Sequence, residues 1–163
     1  MPPATRAFLD TSAMFAAVWS EEGGGRMVLR LGEAGAVRLV VGRQVLAELE
    51  RTLRSKAPHT LASLTVLLDR IRVEVAHEPS QEVLTTCQGL VGHPGDAKVL
   101  AEAVASGVDY FVTLDRQHFL ENARLRQAVP FVVGTPGDFL AWLRGRLTGD
   151  GLTPERSKSP SGG

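Results

Sequence analysis

Two hydrophobic patterns alternate along the chain. Short apolar runs rich in β-branched and aromatic residues stand at 6–9, 37–41, 71–75, 110–114 and 130–133, and they predict strands. Between them the apolar residues return at helical spacing, as with Val45, Leu49 and Leu53 in 43–56. Further helices are predicted over 13–19, 26–34, 58–70 and 79–90, and over a segment that Asp96 caps after a loop at 93–95. A last helix starts at Thr135-Pro136, with Phe139, Leu140, Leu143 and Leu147 turned inward. Gly23-Gly24-Gly25 reads as a flexible turn, and Gly107 as a helix stop. Strands that are continuously apolar are buried on both faces. The pattern therefore predicts an α/β domain over 1–147, with a central parallel sheet of four to five strands flanked by helices on both faces. From 148 onward Gly, Ser, Pro and charged residues predict a flexible, disordered tail.

Charge changes the picture more than composition does. With 163 residues and 44% hydrophobic content, the chain has enough apolar material for one globular core. Its formal net charge is zero, which excludes holding nucleic acid by bulk charge alone. There is one cysteine, Cys87, so no internal disulfide forms. No signal-peptide pattern and no membrane-length apolar run is seen, so the expectation is a cytoplasmic protein with no membrane partner. No Gly-Lys-Ser/Thr follows the triple glycine, so it is not a phosphate loop. No Cys or His stands near His93 at ligand spacing, which argues against zinc. Trp19 and Trp142 are expected as packing anchors.

Four acids carry the candidate chemistry. Asp10 follows the first strand and Asp115 the fourth, Glu48 sits early in the helix after the second strand, and Asp96 starts the helix leading into the fourth. In open parallel sheets, sites form beyond the carboxyl ends of the strands. If the first and fourth strands are neighbours, the four carboxylates share one shallow pit. Their mutual repulsion then calls for raised pKa values or a cation. Hard ions such as Mg²⁺ or Mn²⁺ favour all-oxygen ligands of this type. Such an ion polarises a phosphodiester and activates water for in-line attack.

The same residues resemble a known family. Phe8-Leu9-Asp10-Thr11-Ser12-Ala13, Val45-Leu46-Ala47-Glu48-Leu49, the segment starting Asp96-Ala97-Lys98-Val99, and Tyr110-Phe111-Val112-Thr113-Leu114-Asp115 are similar, in order and spacing, to the four motifs of PIN-domain nucleases. The resemblance spans Phe8 to about Leu147. It implies a ribonuclease dependent on one or two Mg²⁺ or Mn²⁺ ions, with Asp10, Glu48, Asp96 and Asp115 as catalytic and metal-holding residues. It also implies a VapC-type toxin of a type II toxin–antitoxin pair, with an RNA substrate, an antitoxin partner and a homodimer.

Each residue also has a plainer reading. Asp10, Asp96 and Asp115 all stand where a helix N-cap would stand. Glu50 competes with Glu48, and periodicity does not choose between them; the family pattern favours Glu48. Thr11, Ser12 and Thr113 either orient carboxylates or satisfy backbone groups. Arg116 and His118 either touch phosphate or form a solvated turn. Arg43, Arg51, Arg54 and Lys56 either guide RNA or form a solvated face. The apolar stretch from Leu61 to Leu68 is either core or a partner surface. Two other classes remain beside the ribonuclease: a PIN-fold RNA- or protein-binding module without turnover, and an aspartyl phosphatase. The phosphatase reading is weakened by Ser12, where a second acid is needed.

Overall fold

In the computed structural model, which describes residues 3–149, five strands form one parallel sheet in the order β3-β2-β1-β4-β5. The strands are β1 (Arg6–Leu9), β2 (Arg38–Val41), β3 (Glu74–Val75), β4 (Tyr110–Val112) and β5 (Val132–Gly134). Two helices, α1 (Thr11–Trp19) and α2 (Gly24–Glu33), link β1 to β2. Next come α3 (Arg43–Lys56), a 3₁₀ turn (Pro58–Thr60) and α4 (Leu61–Arg70) before β3. Helices α5 (Gln81–Leu90) and α6 (Pro94–Ala105) lead to β4. A π-type turn (Arg116–Leu120) and α7 (Ala123–Ala128) lead to β5, and α8 (Pro136–Thr148) follows.

The chain steps from β1 to β2 and β3 in one direction along the sheet, then crosses back to β4 and continues the other way. Right-handed crossovers in opposite directions place their helices on opposite faces. Burial agrees: Ala7, Phe8 and Leu9 of β1 and Leu39, Val40 and Val41 of β2 are all buried, whichever face they point to. Phe111 sits at the centre of the core. It stacks on Phe8 (5.5 Å) and Phe131 (5.7 Å) and tilts against Phe119 (4.9 Å).

Several expectations need correction. Asp96 is not the cap of α6. His93 is, and its Nδ1 accepts from the Asp96 amide at 3.4 Å; Pro94 then opens the helix. Gly24 and Gly25 belong to the first turn of α2, and only Gly23 (φ 98°) has a backbone that other residues avoid. Proline at 58 starts the 3₁₀ turn, not α4 itself. The third strand shrinks to two residues, and the last is shifted to Val132–Gly134. The short segments at Arg116–Leu120 and Ala123–Ala128 have too few residues to show a period. Leu147 is 78% exposed and Trp19 58% exposed, so neither is a core anchor, whereas Trp142 packs on Tyr110 and Phe139. From Leu61 to Leu68 only Leu64 is buried. The predicted tail begins at 148, but Thr148 still belongs to α8; 150–163 lie outside the described residues. No helix among those described is long and apolar enough to cross a membrane.

Phe111→Ala should cost about 3–5 kcal/mol of stability, since it removes a fully buried ring with three aromatic neighbours. Urea unfolding checks this.

Candidate active site

Strands β1 and β4 are paired with Leu9 opposite Val112, so their carboxyl ends are flush. The Asp10 amide donates to the Val112 carbonyl (3.1 Å) and extends that pairing by one residue. Asp10 then caps α1, its Oδ1 accepting from the Ala13 amide (2.9 Å) and from Ser12 Oγ (2.7 Å). Its Oδ2 accepts from Thr113 Oγ1 (2.6 Å). Thr113 Oγ1 in turn accepts from the Asp115 amide (3.0 Å), and Ser12 Oγ accepts from the Leu114 amide (3.0 Å). Two hydroxyls thus tie the end of β1 to the end of β4. Asp10 is 4% exposed. Burial pushes its pKa up to about 6, against the opposing pull of the Thr113, Ala13 and Ser12 hydrogen bonds. The charge on Asp115 adds to the rise.

Asp115 caps the π-type turn, with Oδ1 accepting from the His118 amide (3.0 Å). Its Oδ2 lies 2.9 Å from His118 Nδ1, and Asp96 Oδ2 lies 3.5 Å from the same nitrogen. One ligand atom from each of Asp96, Asp115 and His118 falls within 4.8 Å of the others. Burial raises the Asp96 pKa, the two histidines beside it lower it, and Asp115 and Glu48 raise it further. The hydrogen bond to Asp115 raises that of His118.

Glu48 reaches the group from α3. Its Oε2 accepts from Thr11 Oγ1 and its Oε1 from Gln44 Nε2 (2.9 Å). Glu50 points away and pairs with Arg54 on the exposed side of α3. Asp10 and Glu48 lie outside the tight set of Asp96, Asp115 and His118. Asp10 nonetheless lines the same cleft of about 310 Å³, together with Ser12, Phe15, Lys56, Asp96 and Asp115. A larger hollow of about 630 Å³ lies between the end of α1 and α4. It contains one acid, Glu21, and no cluster, so size does not mark the chemistry there. Arg116 turns outward to Glu121 (2.9 Å).

Two features escaped the sequence reading. His118, expected only as a phosphate contact or part of a solvated turn, brings a nitrogen to the acids. Asp96 and His118 are distant in sequence, so only the fold shows it. Glu102 is 2% exposed and accepts from the Gln44 amide (3.1 Å). It holds the start of α3 and so the helix that carries Glu48. A Cβ at Gly42 would lie 2.0 Å from Glu102 Oε2, so glycine makes room for this carboxylate. An acid among the apolar positions Val99, Leu100 and Ala103 was the available signal.

A family model described as PIN domain matches residues 6–117, more than half of the chain and the whole span from Asp10 to Asp115. The chain belongs to the PIN-domain family. No curated protein matches this PIN domain in sequence. Solved structures share its fold at low identity. VapBC2 from Rickettsia felis, bound to a promoter DNA fragment, has a TM-score of 0.58 at 16% identity, covering 80% of this chain and 98% of its own. VapBC from Salmonella typhimurium, bound to DNA, has a TM-score of 0.61 at 15% identity, covering 81% and 98%. PAE2754 from Pyrobaculum aerophilum has a TM-score of 0.56 at 17% identity, covering 86% and 90%.

The donor set of this PIN domain fits a divalent cation. Among the described residues, the arginine ion pairs go to Glu74, Glu50, Glu33 and Glu121. Among the described residues no lysine or arginine pairs with Asp10, Glu48, Asp96 or Asp115. Carboxylates gathered with only imidazoles beside them, those of His118 and His93, are an arrangement that a cation stabilises.

The buried charge of Asp10 gives a test. Its folded pKa lies above its unfolded value, so the cation-free protein loses stability as pH rises from about 4 through about 6. In EDTA at pH 8, Asp10→Asn should be more stable than the wild type by about 1–3 kcal/mol, because Asn keeps the helix cap without the charge. Chemical unfolding across this pH range checks both the sign and the weakened pH dependence of the variant, in which Asp96 and Glu102 still titrate with raised pKa values.

Proposed function

We propose that this PIN domain is a divalent-cation-dependent endoribonuclease and the toxin of a type II toxin–antitoxin pair. The observation that carries the reading is the acidic cleft at the paired ends of β1 and β4, whose carboxylates have no lysine or arginine partner among the described residues. Asp96 and Asp115 would hold a Mg²⁺ or Mn²⁺ ion, with Asp10 and Glu48 facing it from the other strand and helix ends. When bound, such an ion supplies Lewis acidity to a phosphodiester and offsets the negative charge of the cleft.

The surrounding residues have separate tasks in this reading. Thr113 and Ser12 hold the Asp10 carboxylate in one orientation, while Gln44 and Thr11 do the same for Glu48. Lys56 lies on the cleft with the acids, where it meets an anionic backbone. Local attraction of this kind suits a chain of zero net charge. Two of the similar folds are VapBC assemblies. This supports an antitoxin partner, and the reading includes a homodimer.

RNA cleavage by the purified chain should disappear in EDTA and return with Mg²⁺ or Mn²⁺. Asp96→Asn and Asp115→Asn should lower the rate by on the order of 10²–10³. Glu48→Gln should also lose activity, whereas Glu50→Gln should keep it. Full activity in EDTA or in both Asp variants would refute the proposal. Tight RNA binding without cleavage would favour a binding module instead. Expression of the wild type, and not of Asp115→Asn, should arrest growth.

A further inference from the structure

We propose that the imidazole of His118 is a direct ligand of the cation, and that it makes this site prefer a borderline transition-metal ion such as Zn²⁺ over Mg²⁺. The inference rests on reading the carboxylate cleft as a cation site, and adds to it a nitrogen donor and a selectivity.

The distances carry it. His118 Nδ1 is 2.9 Å from Asp115 Oδ2 and 3.5 Å from Asp96 Oδ2. Ligand atoms bound at about 2.0–2.1 Å from a small dication are separated by about 3.0 Å in an octahedron and about 3.4 Å in a tetrahedron. Both contacts lie on that scale, and all three donor atoms fall within 4.8 Å of one another. The ring is also held in place by its backbone. The His118 amide donates to Asp115 Oδ1 (3.0 Å), and the next residue, Phe119, is buried against Phe111. The nitrogen therefore reaches the carboxylates through an anchored turn.

The chemistry of the third donor sets the preference. Two carboxylates and water suit Mg²⁺, which favours oxygen and gives up its waters reluctantly. Imidazole suits zinc and the other late transition ions. His93 Nδ1 lies 3.4 Å from Asp96 Oδ2, but it accepts from the Asp96 amide as the cap of α6, and among the described residues the set that converges with Asp115 includes His118 and not His93.

The test uses the full chain, stripped with EDTA and dialysed, and titrated calorimetrically with Zn²⁺ and separately with Mg²⁺. His118→Gln and His118→Asn keep the backbone bond to Asp115, and circular dichroism verifies their folding. In both variants Zn²⁺ binding should weaken by at least about tenfold while Mg²⁺ binding changes little. X-ray absorption of the Zn²⁺-loaded wild type should show imidazole scattering that is lost in the variants. Unchanged Zn²⁺ affinity would overturn the proposal. So would an equal weakening for both ions, which would make His118 an orienter of Asp115. Loss that follows His93→Gln instead, or a wild-type spectrum without imidazole, would overturn it as well. A wild type that binds neither ion would sink the cation-site reading too, whereas binding indifferent to His118 sinks this inference alone.

Discussion

The parallel pairing of β1 with β4 positions the whole site. These strands are far apart in sequence, yet Ala7, Phe8 and Leu9 lie opposite Tyr110, Phe111 and Val112. The chain then leaves the two ends differently, into α1 from β1 and into the π-type turn from β4. Neighbouring connections on the sheet also run in opposite directions here, which opens a crevice outside the carboxyl ends. Asp10 and Asp115 project from the two rims of that crevice. The Thr113 hydroxyl bonds to both of them, so the strand pairing is continued by side chains into the site.

The crevice gathers negative charge that has no lysine or arginine partner among the described residues. Capping and hydroxyl bonds satisfy the carboxylate oxygens geometrically, but they do not remove the charge. This is why burial dominates at Asp10 and raises its pKa despite three donors. Glu102 is an instructive contrast. It is as buried as Asp10, but it accepts from backbone amides at the start of α3 and keeps that helix in place. Burial of an acid alone therefore does not mark a site. Convergence of several acids from separate elements does.

Much of this arrangement was legible before any coordinates. The α/β alternation, the all-parallel sheet and α3 at Arg43–Lys56 follow from apolar runs and helical spacing, because packing on two faces imposes those patterns. Asp10, Asp96 and Asp115 could be named because each stands at or beside an element end, and Glu48 because the family pattern favours it. What periodicity left open was rotation about a helix axis. Glu48 and Glu50 flank the same buried stripe, and the fold distinguishes their surroundings: Thr11 of α1 and Gln44 donate to Glu48, whereas Glu50 pairs with Arg54. His93 capping was hidden because Asp96, three residues on, is the more usual cap type. His118 was hidden for a different reason. Its contact with Asp96 joins a turn after β4 to the first turn of α6, a proximity that no local pattern encodes.

On the proposed reading, the cleft binds a divalent cation through these carboxylates. The most direct measurement is an anomalous difference map from a crystal of the full chain soaked in Mn²⁺. A peak is expected within bonding distance of both Asp96 and Asp115, and no such peak in Asp115→Asn. A map with no peak in this crevice, or with Mn²⁺ only at other surface acids, would contradict it.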